Sequence, residues 1–378
     1  MLAWILAFSI IAGQLIKIPI GTHGGVTLLD TTVISLCFWG IVKLKFHLKK
    51  PPLFVASAIF FILIALLSLA LTPLHLTPIE YFTSLSYTLR FSLYVLLGWI
   101  IYSHTFPILQ KNIPSILTIS GLGLAFLGLL QFIFLPNLGF LTNWGWDPHY
   151  FRTASTFLDP NFLGAYFVLT LILLISLPDR LLPHLRFLAI TVVYLALLTT
   201  FSRGAYLAFL TSFISLSFLR KSFRTGIFTI ILFLGLLLAF SIYQKAVAQP
   251  RGVDRAQSAE FRFSTWQQGW QLFSSHPLLG VGFNAYKFAL REYNLGDEQF
   301  LKSHGASTND SSLLYVGATT GVVGLFSYLF FLFTMIRTGK PILIAGLFGL
   351  IVQSFFANTL FYPFLFLWLV LTLHQKDC

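Results

Sequence analysis

Charge is the scarcest property of this chain. Only 10% of its 378 residues are Asp, Glu, Lys or Arg, and just 12 are acidic. Soluble proteins carry roughly 25% charged residues, so a water-facing globular surface is excluded. Cysteine is almost absent: Cys37 lies in an apolar run and Cys378 at the terminus, which rules out a disulfide framework and a cysteine metal site. The 9 histidines are scattered singly. Walker-type phosphate loops, dinucleotide glycine fingerprints and metalloprotease helix motifs are all missing. ATP hydrolysis and zinc chemistry are therefore not indicated, and neither a metal nor a cofactor is expected. No internal repeat or low-complexity tract is visible. The formal charge of +12 is dispersed in short pieces between apolar runs, without the clustered basic face that nucleic acid requires.

What the chain has instead is hydrocarbon. Apolar residues make up 57% of it, Phe alone accounting for 42 positions. A bilayer core about 30 Å thick takes about 20 helical residues, and twelve runs of that order fit: 2–20, 26–42, 53–71, 79–102, 113–135, 161–177, 187–201, 205–219, 226–244, 310–336, 341–357 and 359–373. The shorter runs 187–201, 205–219 and 359–373 predict tilted, broken or shielded helices. The first run has no basic start and no small-residue cleavage site, so it reads as a helix and not a signal peptide. The expected fold is all-α. It is a polytopic integral membrane protein of about twelve transmembrane helices, a single membrane domain over 1–378, with a partly helical extracytoplasmic segment at 245–309 between spans nine and ten.

Positive charge tests that count, because a miscounted span would flip every later loop. With Met1 inside, the cytoplasmic pieces hold Lys43, Lys45, Lys49, Lys50, Lys111, Arg180, Arg186, Arg220, Lys221, Arg224, Arg337, Lys340 and Lys376, which is 13 of the 24 Lys and Arg. The outer loops 21–25 and 72–78 have none, and loop 136–160 has only Arg152. The pattern predicts both termini inside.

In such a chain the informative residues are polar ones near the bilayer, each unfavourable unless paired or functional. One group runs from Trp144-Gly145-Trp146-Asp147 through Arg152 to Asp159-Pro160-Asn161, where Asp159 is either a helix cap with Pro160 at the first helical position or part of a site. A second is Ser202-Arg203-Gly204 in the shortest outer turn, where the positive-inside rule disfavours an arginine and a function is favoured over a topology role. A third places Arg262, Trp266 and Trp270 at four-residue spacing on one helix face. Membrane-surface packing and an anion clamp both fit that stripe. The fourth is His304 to Ser312, with Asn309, Asp310 or Ser311 as helix caps or Asp310 and His304 as proton acceptors. Arg90, in mid-span, needs an anionic partner or an aqueous cavity.

Taken in order, Arg152 with Asp159-Pro160-Asn161, Ser202-Arg203-Gly204-Ala205, Arg262 with Trp266, His276-Pro277-Leu278-Leu279-Gly280-Val281-Gly282, and the Gly321 and Gly324 pair resemble the O-antigen ligase and Wzy-type polymerase family of bacterial membrane glycosyltransferases. The likeness covers 152–373, including the stretch from Asn358 to Trp368. It implies a GT-C-like fold and an inverting, metal-independent transfer on the outer face of the bacterial cytoplasmic membrane. The glycan would pass from a polyprenyl diphosphate carrier of the undecaprenyl type to a lipid-linked or glycan acceptor. The donor, the acceptor and membrane lipids are then the partners. Arg203 and Arg262 carry over as clamps on the leaving diphosphate, for which a planar, permanently charged guanidinium is suited. Arg152, Asp159, Asn161, Ser202, Trp266, Asn309 and Arg90 follow as substrate-binding candidates.

One departure stands out. Many relatives carry a His-Asn pair 11 residues before the first glycine of the Gly-x-x-Gly pair, where this chain has Asp310-Ser311. The expectation is that Asp310 acts as base, with His304 the second choice. The competing function is a transporter or flippase of lipid-linked or anionic substrates, with a non-catalytic export scaffold behind it. Against transport, no paired broken helices or two-half symmetry is visible.

Overall fold

A computed structural model of the chain describes residues 2–20, 24–45, 48–176, 182–251 and 255–373. Arg180, Asp254, Lys376 and Cys378 lie outside the described residues, as does most of loop 21–25. Nine apolar helices come first: α1 (Leu2–Ala12), α2 (Leu28–Lys43), α3 (Leu53–Ala70), α4 (Pro78–Tyr102), α5 (Pro107–Phe134), α6 (Pro160–Ser176), α7 (Pro183–Thr199), α8 (Arg203–Leu219) and α9 (Phe223–Tyr243). The segment 245–309 then folds into α10 (Arg255–Ser275), α11 (Tyr286–Glu292) and α12 (Glu298–Lys302). Three more apolar helices close the chain, α13 (Ser312–Thr338), α14 (Pro341–Gln353) and α15 (Pro363–Thr372). Each apolar run of the sequence thus holds one helix. Among the described residues, 5 helical stretches are long and apolar enough to cross a membrane, and the other apolar ones have 10–17 residues or are no longer than α2.

Local chemistry sets where these helices begin. Thr27 with Asp30 and Thr77 with Glu80 form capping boxes on α2 and α4, and the hydroxyls of Ser202, Ser222 and Ser311 cap α8, α9 and α13. Such caps satisfy backbone N–H groups that the first turn leaves without an acceptor. Phe228, Ile231, Leu234 and Leu238 of α9 point outward and stay exposed, as lipid-facing side chains do. Inside, hydroxyl pairs Ser57–Thr334 and Ser120–Tyr166 meet at 2.7 Å, so the bundle interior pairs its polar groups across helices. α8 packs on α14, α9 and α6, and α13 on α3.

The first run departs from expectation. α1 stops at Ala12, Gly13 takes a φ of 57°, and the chain continues as an antiparallel hairpin of β1 (Lys17–Ile20) and β2 (Gly24–Thr27). Loop 136–160 causes the stop: Thr156 Oγ1 donates to the Ile11 carbonyl at 2.6 Å, and Gln14 N–H donates to the Thr156 carbonyl at 2.8 Å. Lys17, which sequence placed inside a span, therefore sits in a strand.

The Gly-x-x-Gly pair also has a role that packing alone does not explain. Gly321 breaks α13 with a φ of 65°, freeing carbonyls on one side of the break and N–H groups on the other. The segment 276–282 supplies the partners. Val281 and Gly282 N–H donate to the Ala318 and Thr319 carbonyls at 3.0 Å, while Val322 N–H donates to the Pro277 carbonyl at 2.8 Å. Ser68 of α3 ties both pieces, donating to the Leu279 and Thr319 carbonyls. A side chain at 321 would run into the Leu278 carbonyl, and a positive φ is in any case one that glycine adopts most readily. The segment between α10 and α12 is also pinned to α4, by the ion pair Arg291–Glu80 and by Asn284, whose Nδ2 donates to Thr88 Oγ1 at 3.3 Å.

Candidate active site

The starts of α6, α8 and α13 and the ends of α7 and α14 converge through side-chain bonds. Asp159 Oδ1 accepts from the Asn161 and Phe162 N–H groups at 2.6 and 3.2 Å, starting α6. Asn161 Oδ1 accepts the Ser202 hydroxyl at 2.7 Å, while Ser202 Oγ also accepts from Ala205 N–H, so one hydroxyl both caps α8 and joins it to α6. The amide of Gln353 closes the joint from α14 by donating to the Asn161 carbonyl at 2.8 Å. The loop before α6 and the turn before α8 are held in costly backbone: Phe151, Ser155 and Leu158 in the one and Phe201 in the other take positive φ. Such strain persists only where surrounding bonds over-determine it. Arg152 Nε–H donates to the Thr200 carbonyl at 2.8 Å and Thr153 N–H to Thr199 at 2.9 Å, which fixes the loop to the end of α7.

Beside this joint lie two arginines from different elements. Arg203, the first residue of α8, and Arg262, on α10, line one cavity of 310 Å³ together with Phe263, Trp266, Phe356 and Leu207. The Arg203 guanidinium lies 5.7 Å from the Phe240 ring centre. A cation at a helix N-terminus opposes the helix dipole, so Arg203 is badly placed for stability and well placed for an anion. Among the described residues, no carboxylate lines this cavity. The Trp266 ring packs 6.1 Å from Phe356, and its indole N–H is buried without a hydrogen bond among the described residues.

Carboxylates gather on the other side of Arg262. Asp310 Oδ2 accepts from Thr265 Oγ1 of α10 at 3.1 Å and lies in the fields of Arg262 and Asp159. Burial pushes the Asp159 carboxyl above its ordinary range, against its N–H donors and the charges of Arg152 and Arg262. Asp147 stands at the rim, its side chain reaching solvent. Burial by the surrounding protein, with Asp159 and Asp310 nearby, pushes it up to about 6.

The remaining candidates fall elsewhere. His304 packs against Trp146 at 4.8 Å between ring centres, and its N–H donates to the Gly145 carbonyl at 3.0 Å. It lines a separate cavity of 240 Å³ with Lys17, Arg90, Asn358 and Tyr362. Arg90 pairs with Asp30 at 3.1 Å and donates to the Gly25 carbonyl. Asn309 is fully buried and its amide bonds the Thr265 carbonyl and the Tyr286 hydroxyl, so it braces α10 and α11 against the start of α13.

Residues 187–329 match the family model described as O-antigen ligase. The chain carries an O-antigen ligase family domain. The matched stretch contains Ser202, Arg203, Arg262, Trp266, His304, Asn309 and Asp310, with the 276–282 segment, Gly321 whose break it patches, and Gly324. It begins after Arg152, Asp159 and Asn161. No curated protein matches the chain. The family and the apolar helices together describe a multi-pass membrane protein with a glycan-joining role.

Two residues escaped the sequence reading. Asp30, the anion that Arg90 required, is 60 positions away and is disguised as an ordinary capping residue beside Thr27. Asp147 looked like part of a Trp-rich loop, and only the fold brings it near Asp159 and Asp310. Asp147 is one of only two acids in loop 136–160 of a basic chain, and that scarcity was its one available signal.

Proposed function

We propose that this protein transfers a glycan from a polyprenyl diphosphate carrier to a lipid-linked or glycan acceptor at the outer face of the cytoplasmic membrane. The single observation that supports this most is the cavity in which Arg203 and Arg262 meet, free of carboxylates and bordered by the α8 N-terminus. Phosphate oxygens accept paired hydrogen bonds from guanidinium groups. As the bond from sugar C1 to the diphosphate oxygen breaks, charge grows on that oxygen, and two fixed cations lower the barrier electrostatically. Leu207, a turn below Arg203, gives the cavity an apolar side on which the first isoprene units rest.

Asp310 is the proposed base. It takes the proton of the attacking acceptor hydroxyl while Thr265 and Arg262 fix its orientation and charge. His304, in the neighbouring cavity, is the second candidate. Arg152 and Asp159 hold the strained loop at the mouth, and Asn161 and Ser202 set the angle at which α8 presents Arg203. The proposed topology has twelve spans, both termini inside and the site outside, with 1–378 as one membrane domain, 245–309 as its long outer segment and 152–373 as its family-like part.

The test is transfer from a polyprenyl diphosphate oligosaccharide in liposomes. Native protein should release carrier diphosphate and form a new glycan product, and Arg203→Ala and Arg262→Ala at matched folding should not. Movement of the lipid-linked substrate without covalent change would replace this reading with transport.

A further inference from the structure

A second cleft, of 630 Å³, lies one turn further along α10, on the same two rows of side chains, and shares only Trp266 with the arginine cavity. Its walls come from two adjacent rows on the helix, Trp266 with Trp270 and Gln267 with Gln271, each pair one turn apart. Ser311, next to Asp310, closes one side, and Leu314 and Phe355 form an apolar floor. Among the described residues, none that lines it is charged.

The lining narrows the occupant. Trp270 is 60% exposed, a large indole face turned outward. Among the described residues the Gln267 and Gln271 amides make no side-chain hydrogen bond, and the Trp266 N–H is buried without one. A buried donor without a partner is a standing destabilisation that a ligand acceptor relieves. A lipid tail has no use for two amides, a hydroxyl and an indole N–H, and a phosphate head group calls for a cation that is absent. Tryptophan anchoring at head-group level explains Trp270, and solvent serves the exposed Gln267 and Gln271 amides, but the buried Trp266 N–H is left unexplained. A pyranose ring meets all the demands. Its C–H bonds carry slight positive charge and fit the negative face of an indole, while its hydroxyls pair with amides and N–H groups.

We propose that this cleft is a subsite for a neutral pyranose residue, held by the Trp270 face and the Gln267 and Gln271 amides next to the reacting groups. The proposal rests on the glycosyl-transfer reading and deepens it. Trp266 is the partition between a phosphate side and a sugar side, and Ser311 brings the sugar within one residue of Asp310. Both the donor's first sugar and the acceptor's terminal sugar have this chemistry.

Purified protein in nanodiscs would be titrated with carrier-free neutral oligosaccharides of hexose and N-acetylhexosamine, followed by tryptophan fluorescence and calorimetry. Native protein should bind with saturation. The double variant Trp270→Ala/Gln271→Ala should bind at least ~10-fold more weakly, which corresponds to about 1.4 kcal/mol, with an unchanged melting temperature. Trp270→Phe should recover most of the binding, which a merely structural role would not give. In transfer assays the double variant should raise KM far more than it lowers kcat. A rise in donor KM assigns the subsite to the donor, and a rise in acceptor KM assigns it to the acceptor. Titrations and KM values alike in native and double variant would overturn the proposal, even if transfer still depended on Arg203 and Arg262. Binding that needs Trp270 and Gln271 in a protein that transfers nothing would keep the subsite and remove the transferase reading.

Discussion

Arg203 and Arg262 are alike in charge and unlike in support. Arg203 begins a helix and leans on Phe240, whereas Arg262 sits among the fields of Asp147, Asp159 and Asp310. Replacing either with Ala is expected to lower kcat by about 10²-fold or more. Lysine keeps the charge but loses the planar fork, so Arg203→Lys and Arg262→Lys should recover only part of the rate in the liposome assay. Asp310→Asn should reduce transfer by about 10²-fold or more, and His304→Ala by much less, because His304 lines the other cavity. Equal losses, or the reverse order, would move the base to His304. Asp147 makes a prediction about pH. It titrates near 6 when folded, against about 3.9 in an unfolded chain, so the folded state holds more protons between those values. The stability this group contributes is fully present below pH ~4 and is lost as pH rises through 6. Melting curves of Asp147→Asn should lack that part of the decline.

At the scale of elements the decisive feature is the mended break in α13. Gly321→Ala combines a disfavoured positive φ with a collision at the Leu278 carbonyl, and Gly280→Ala does the same from the other side, at the Thr319 backbone. Each should destabilise by on the order of 2 kcal/mol or more, read as a lower melting temperature in detergent before any change in KM. Sequence showed where this happens but not what happens. Apolar runs, prolines and hydroxyl caps are local signals, so most helix positions were legible to within several residues, the early end of α1 at Ala12 being the exception. Gly321 and Gly324 were legible only as small residues. The role of Gly321 depends on a loop some 40 positions earlier in the chain, and the hydrogen bonds that join the two are backbone bonds that leave no mark on side-chain identity. Asp30 and Arg90 illustrate the same limit, since each charge was visible and their pairing across helices was not. Arg203, Arg262 and Asp310 were legible because charge at a bilayer is rare enough to stand out singly.

The molecule as a whole is expected to face two ways. With Cys37 and Cys378 replaced by Ala, Lys111→Cys should resist a membrane-impermeant maleimide in intact spheroplasts and react after permeabilisation. Gln299→Cys, on exposed α12, should react at once. Labelling of both from outside would overturn the twelve-span topology. The mended helix also bears on how such a chain is made. On the proposed topology, segment 276–282 leaves the ribosome before α13 does and has to be exported before the two can meet. Until the two meet, α13 has backbone amides at residues 322 and 323 with no acceptor, a state that lipid penalises heavily. If that topology holds, export of the segment becomes a checkpoint in biogenesis. A chain that fails to translocate it carries an unfinished span, and this exposes the defective copy to membrane quality-control proteases before it can reach its substrates.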